Sequence, residues 1–275
     1  MFSFTKAAIT LITGSAVFAL LYFGAYALRS RDVSLRVRSG YRNRSGPGRK
    51  SSSRWFIKEP ILGTFGSDFR GHFIDVHVPT NNSWWNSNYT NIFLKNIEDG
   101  TNYRKTSSEF SNVKSVEDLK KKCDEAYKKN TRIDISPINS NLEQYKYEND
   151  VWTYCSEEGR VPVTVLEQRD GLKGRSRLSN IYSSRMISTT SEENSVFWRR
   201  HAASFYGNKD KTVGLGISAK NEAAGFKQLY ETEDRTLDSL RELCEKNYSY
   251  FYSDEITDIV KETLRFCSLA GSSDL

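Results

Sequence analysis

The chain has 275 residues, long enough for one large or two small cores, with 40 Lys and Arg against 34 Asp and Glu. Of the formal +6, residues 29–54 hold +8 (nine basic side chains against Asp32) and Lys6 one more, leaving −3 from Trp55 onward. A nucleic-acid-binding domain spreads Lys and Arg over a folded face, so the mildly acidic body excludes that class and no nucleic-acid partner is expected.

The first element is Ala7 to Leu28, free of charged side chains and rich in Ala, Leu, Ile, Val and Phe. As a helix it would run about 33 Å, enough for a hydrocarbon core of about 30 Å. Tyr22 and Tyr26 stand near one end, where amphipathic rings favour the lipid–water boundary. The segment reads as a single spanning anchor. A cleaved signal peptide is the rival, with Lys6 as its basic start and Ala25-Tyr26-Ala27 as a cleavage site. A buried core helix is the third reading.

Residues 29–54 are rich in Ser, Gly and Arg and poor in apolar side chains, so they predict a disordered basic tether. Arg29, Arg31, Arg36, Arg38, Arg42 and Arg44 are the candidate contacts to anionic lipid headgroups, each worth roughly 1 kcal/mol close to the surface. The same charges resist translocation and would hold the body in the cytoplasm. Paired structural cysteines argue the other way, because they belong in oxidising space.

The body reads as mainly α with a small β content: a first module over 55–170, a linker over 171–194, a second module over 195–270 and a tail at 271–275. Phe73–Val78 and Val161–Leu166 are short strand candidates, the latter an edge strand because of Pro162. Trp84-Trp85, Tyr89, Ile92-Phe93 and Ile97 recur at helical spacing before Gly100. Phe197-Trp198, Ala202 and Phe205 do the same before Gly207. The Ser-, Arg- and Thr-rich stretch from Gly171 to Asn194 separates the two.

Each module then carries a copy of one phrase. Ser115-Val116-x-x-Leu119-Lys120-x-x-Cys123-Asp124-x-x-Tyr127 returns as Thr236-Leu237-x-x-Leu240-Arg241-x-x-Cys244-Glu245-x-x-Tyr248. Ser115 with Asp118 forms a capping signature, and Thr236 is expected to cap the second copy. A second cysteine follows in each, as Trp152-x-x-Cys155 and Leu264-x-x-Cys267, the latter on a helix expected from Glu255 and capped near Ser253-Asp254. Four cysteines allow three connectivities. Keeping each module self-contained selects Cys123 with Cys155 and Cys244 with Cys267. The alternative is four reduced cysteines packed as small hydrophobes, the expected state in a cytoplasmic orientation.

Catalytic signatures are lacking. The three histidines, His72, His77 and His201, make no ligand spacing with the cysteines, so no metal is expected. Asp75 and His77 would share one strand face and are the one place to look for a site. Gly214-Leu215-Gly216 lacks the third glycine of a dinucleotide fingerprint, and no phosphate loop or nucleophile elbow occurs. No enzyme activity, catalytic residue or cofactor is expected.

The order of Trp85-x3-Tyr89, Leu119-x3-Cys123, Trp152-x2-Cys155, Trp198, Leu240-x3-Cys244 and Leu264-x2-Cys267 resembles the uncharacterised paralogous protein families of haemotropic mycoplasmas. The arginine-rich segment at 29–54 departs from that pattern. The resemblance implies a wall-less bacterium's membrane-anchored protein, without an activity or ligand. The expectation is thus a single-pass membrane protein with an extracytoplasmic body, displayed for interaction with an unidentified host or cell-surface protein or as an antigen. Its competitor is a cytoplasm-facing protein held against anionic lipid, its cysteines reduced.

Overall fold

Among the described residues, four α-helices start where a side chain satisfies the exposed amides of the first turn. A computed structural model describes residues 56–57, 61–98, 106–137, 139–169, 176–208, 212–220, 222–233, 235–252 and 257–271. Residues Ser52–Leu275 form one compact unit.

In chain order the helices are α1 Phe65–Asp68, α2 Asn82–Asn88, α3 Leu94–Glu98, α4 Val116–Tyr127, α5 Leu142–Cys155, α6 Val165–Gln168, α7 Leu178–Ile181, α8 Ser195–Tyr206, α9 Phe226–Glu231, α10 Ser239–Tyr248 and α11 Asp258–Cys267. Ser115 caps α4 and Thr257 caps α11. Asn141 with Gln144 on α5, and Thr164 with Glu167 on α6, make reciprocal capping boxes. The expected mainly helical class is what is observed. Among the described residues, strand pairing amounts to the two-residue ladder of β1, Gly207–Asn208, with β2, Thr212–Val213, plus isolated bridges.

Neither expected strand forms as one. Phe73 bridges Ser156 and Ile74 bridges Phe56, but the backbone then turns. The Asp75 carbonyl accepts from the side chains of Asn81 and Trp85, and the Asp75 carboxylate accepts from the His77 amide. Pro79 opens a 3-10 turn instead of continuing the run. In the second candidate only Thr164 bridges, to Ile187, before its hydroxyl and Glu167 start α6. Local side-chain bonds compete with the ladder and win.

The helix starts of the second module also differ from expectation. Thr236 does not cap α10; it bonds the Ser239 hydroxyl, and the helix begins at Ser239 behind Asp238. Leu237 therefore lies outside the helix, 47 % exposed. The described part of the last helix starts at Asp258, while the expected cap Ser253-Asp254 lies outside the described residues.

The stretch 171–194 is more than a linker. From Leu178 it folds as α7 and then buries Met186, Ile187, Ser188 and Asn194. These residues match the opening of the first module. Phe65 N donates to Lys129 O (2.8 Å), and Leu178 N donates to Tyr250 O (3.0 Å). Ile74 N donates to Cys155 O (3.1 Å), and Ile187 N to Cys267 O (3.0 Å). Asn81 and Trp85 hold the Asp75 carbonyl; Asn194 and Trp198 hold that of Ser188. The duplication thus runs from α1 to Ser156 and from α7 to Ser268.

A tyrosine clasp closes each copy. The Tyr127 hydroxyl lies 3.0 Å from Ile74 O and 3.2 Å from Cys155 O. The Tyr248 hydroxyl lies 2.7 Å from Ile187 O and 2.8 Å from Cys267 O. A disulfide lies beside each clasp. Cys123–Cys155 and Cys244–Cys267 have Cα separations of 5.6 and 5.7 Å, within the range a disulfide needs, and all four cysteines are fully buried. The pairing selected from the repeat is the one observed.

Candidate functional site

The two copies meet over aromatic rings, and two polar centres are buried in that junction. The first begins at His72, the residue before Phe73, whose counterpart in the second copy is Arg185 before Met186. Gly71 lets the chain approach α8 closely, since a Cβ there would stand 1.8 Å from the Ser204 hydroxyl oxygen. His72 then stacks on Phe197 of α8, with ring centroids 4.5 Å apart, and Phe197 stacks on His201 at 5.1 Å. Trp152 of α5 and Phe69 meet the His72 ring edge-on.

The nitrogens form a chain across the junction. His201 Nε2 lies 2.9 Å from the carbonyl of Phe266, and a carbonyl can only accept, so Nε2 carries the hydrogen. His201 Nδ1 is then an acceptor, and His72 Nε2, 3.3 Å away, donates to it. His72 Nδ1 lies 2.9 Å from Glu158 Oε1, which requires a proton between them. Arg200 reaches the same carboxylate at 3.4 Å and Glu157 at 3.7 Å.

The electrostatics follow from burial and charge. Burial holds the His201 imidazole far below its ordinary value, down to about 3, and the neighbouring His72 charge adds to this; the Phe266 carbonyl opposes it weakly. Burial pushes the Glu158 carboxyl up, but the charges of His72 and Arg200 outweigh it, and the net is a value below the usual carboxylate range. Glu158 is ionised and His201 neutral at neutral pH. His72 and His201 are buried, and the Glu158 side chain is 7 % exposed.

The second centre is ionic. Arg185 Nη1 lies 2.9 Å from Glu148 Oε2 on α5, and both side chains are buried. Ser136 donates to the other Glu148 oxygen at 2.5 Å, while the Arg185 guanidinium also donates to Pro137 O and the Ser140 hydroxyl. Positions 72 and 185 are equivalent in the repeat, and each reaches into the other copy with a cationic or protonated group.

Among the expected site residues, the structure joins the four cysteines in their two pairs. It does not join Asp75 and His77 through their side chains: the His77 ring is 77 % exposed and its Nε2 pairs with Asp124 at 3.3 Å. Among the described residues no group of three His, Cys, Asp or Glu is arranged to hold a metal ion, and no helix is long and apolar enough to cross a membrane. The expected span at 7–28, the tether at 29–54 and the candidate headgroup contacts Arg29, Arg31, Arg36, Arg38, Arg42 and Arg44 lie outside the described residues.

No family model, no curated protein and no solved structure matches this chain.

Sequence reasoning missed His72, His201 and Glu158 as partners, because they come from three separated segments. It also missed the Asn81-x3-Trp85 and Asn194-x3-Trp198 match, which was visible as an identical spacing. Extending the repeat upstream of Ser115 would have found it.

Proposed function

We propose that the chain is a membrane-anchored, non-catalytic interaction or display protein whose body stands outside the cytoplasm. The observation that carries this reading is the matched pair of fully buried disulfides, one per copy. Structural disulfides form and persist in oxidising compartments, and reduced cysteines would be the rule on the cytoplasmic side. The apolar segment 7–28 supplies the anchor, and residues 29–54 the basic connection to it. A non-catalytic body agrees with the use of its buried histidine–carboxylate chain to join the two copies. The resemblance to paralogous families of haemotropic mycoplasmas fits a displayed protein and names no ligand.

The runner-up is a cytoplasm-facing body with reduced thiols, held to anionic lipid by the arginines. The excess of basic residues beside the anchor favours it, because such charge is retained on the cytoplasmic side. Protease added to intact cells separates the two. The proposed topology expects loss of the body from intact cells and a mobility shift on reduction. Full protection, with all four thiols alkylated without reductant, would establish the runner-up.

A further inference from the structure

We infer that the junction between the two copies is an acid-sensitive latch, in which a proton taken up by His201 separates the copies while each remains closed by its own disulfide and tyrosine clasp. The inference goes beyond the proposed topology and does not rest on it. Its basis is the occupancy of the two ring nitrogens. Nε2–H is committed to Phe266 O, and the Nδ1 lone pair accepts from His72 Nε2. A proton on Nδ1 would set two N–H groups against each other across 3.3 Å, so the protonated ring cannot keep both bonds.

The surroundings offer that proton no counter-charge. The titratable and charged groups facing His201 are His72 and, beyond it, Glu158 and Glu157 from the first copy, with Arg200 on its own helix. Glu158 and Glu157 are engaged by His72 and Arg200. Helix α11 presents the Phe266 carbonyl, the C-cap Phe69 of α1 presents its ring, and Phe197 and Trp198 on its own helix present theirs. His201 titrates near 3 in the closed form and near its ordinary 6.5 once exposed. The sign follows: between those values the open form binds a proton that the closed form does not, so acid favours opening. From pH 6.5, where half of the exposed rings already carry the proton, to pH 4.5 the opening equilibrium rises about 50-fold.

What holds within each copy is independent of this chain of bonds. The clasps of Tyr127 and Tyr248 use hydroxyl and carbonyl groups that do not titrate in this range, and neither disulfide spans the junction. The first copy also shows what a non-titrating version looks like. Asn88 stands where His201 does, and its amide donates to Tyr154 O at 2.7 Å as His201 donates to Phe266 O.

The test is hydroxyl-radical footprinting of the full chain in detergent micelles at pH 6.5 and 4.5, read residue by residue by mass spectrometry. The junction rings Phe69, Trp152 and Phe197 should label about 50-fold faster at pH 4.5. Phe110 and Phe226, buried inside the first and second copies respectively, should label at unchanged rates. His201→Asn should abolish the acceleration, and His77→Gln, at an exposed site, should preserve it. Junction and internal rings accelerating together would mean global unfolding and overturn the latch. Flat junction rates in the unmodified chain would overturn it equally, and so would an acceleration that persists in His201→Asn. Should that variant fail to fold, the comparison of ring sets in the unmodified chain still decides.

Discussion

Arg185 carries a buried charge that Glu148 compensates. Truncating one partner of such a pair strands the other in a low-dielectric interior, a loss of about 3–5 kcal/mol, whereas replacing both by apolar groups is often neutral. Arg185→Ala should therefore lower the midpoint of urea unfolding strongly, and Arg185→Met with Glu148→Leu should recover much of it. The clasp tyrosines make a second residue-scale case. Tyr127→Phe and Tyr248→Phe each remove the single O–H shared by two buried carbonyls, one of which keeps a backbone amide donor, so each should cost about 1–3 kcal/mol by the same measurement. Equal losses are expected because the two hydroxyls hold equivalent carbonyls; a large loss in one copy alone would count against the equivalence.

At the scale of elements, the two disulfides close loops with sequence separations of 32 and 23 residues. In the chain-entropy account each contributes about 3–4 kcal/mol, and the weak logarithmic dependence on length makes the pair nearly equal. Removing one pair as Cys123→Ala with Cys155→Ala should lower stability by about that amount, and Cys244→Ala with Cys267→Ala should match it within about 1 kcal/mol. Denaturant unfolding under non-reducing conditions checks both. These elements were legible in the chain because Leu119, Cys123 and Tyr127 recur at helical spacing as Leu240, Cys244 and Tyr248, a pattern that a buried stripe imposes on sequence. The helix starts were less legible. Thr236 looked like a cap, yet its hydroxyl turned to Ser239, and only the fold decides between two local partners. Phe73–Val78 alternated like a strand, and its alternation was overruled by Asn81 and Trp85 taking the carbonyl of Asp75. The histidine centre was not legible, since hydrogen bonds between segments 65, 86 and 129 residues apart leave no spacing to read.

For the whole molecule, duplication explains the core and also its exceptions. The backbone bonds that join α1 to the end of α4, and Ile74 to Cys155, recur one for one in the second copy. At the junction two polar positions differ between the copies: His72 against Arg185, and Asn88 against His201. A copied unit facing its twin needs unlike groups where the two touch, or like charges would meet in the interior. The central claim is that each copy is closed through its own two sulfurs. Protease digestion of the non-reduced protein, with mass spectrometry of the linked peptides, tests it most directly. The account predicts peptides joining Cys123 to Cys155 and Cys244 to Cys267; a peptide joining Cys123 to Cys244 or Cys267, or four free thiols, would contradict it.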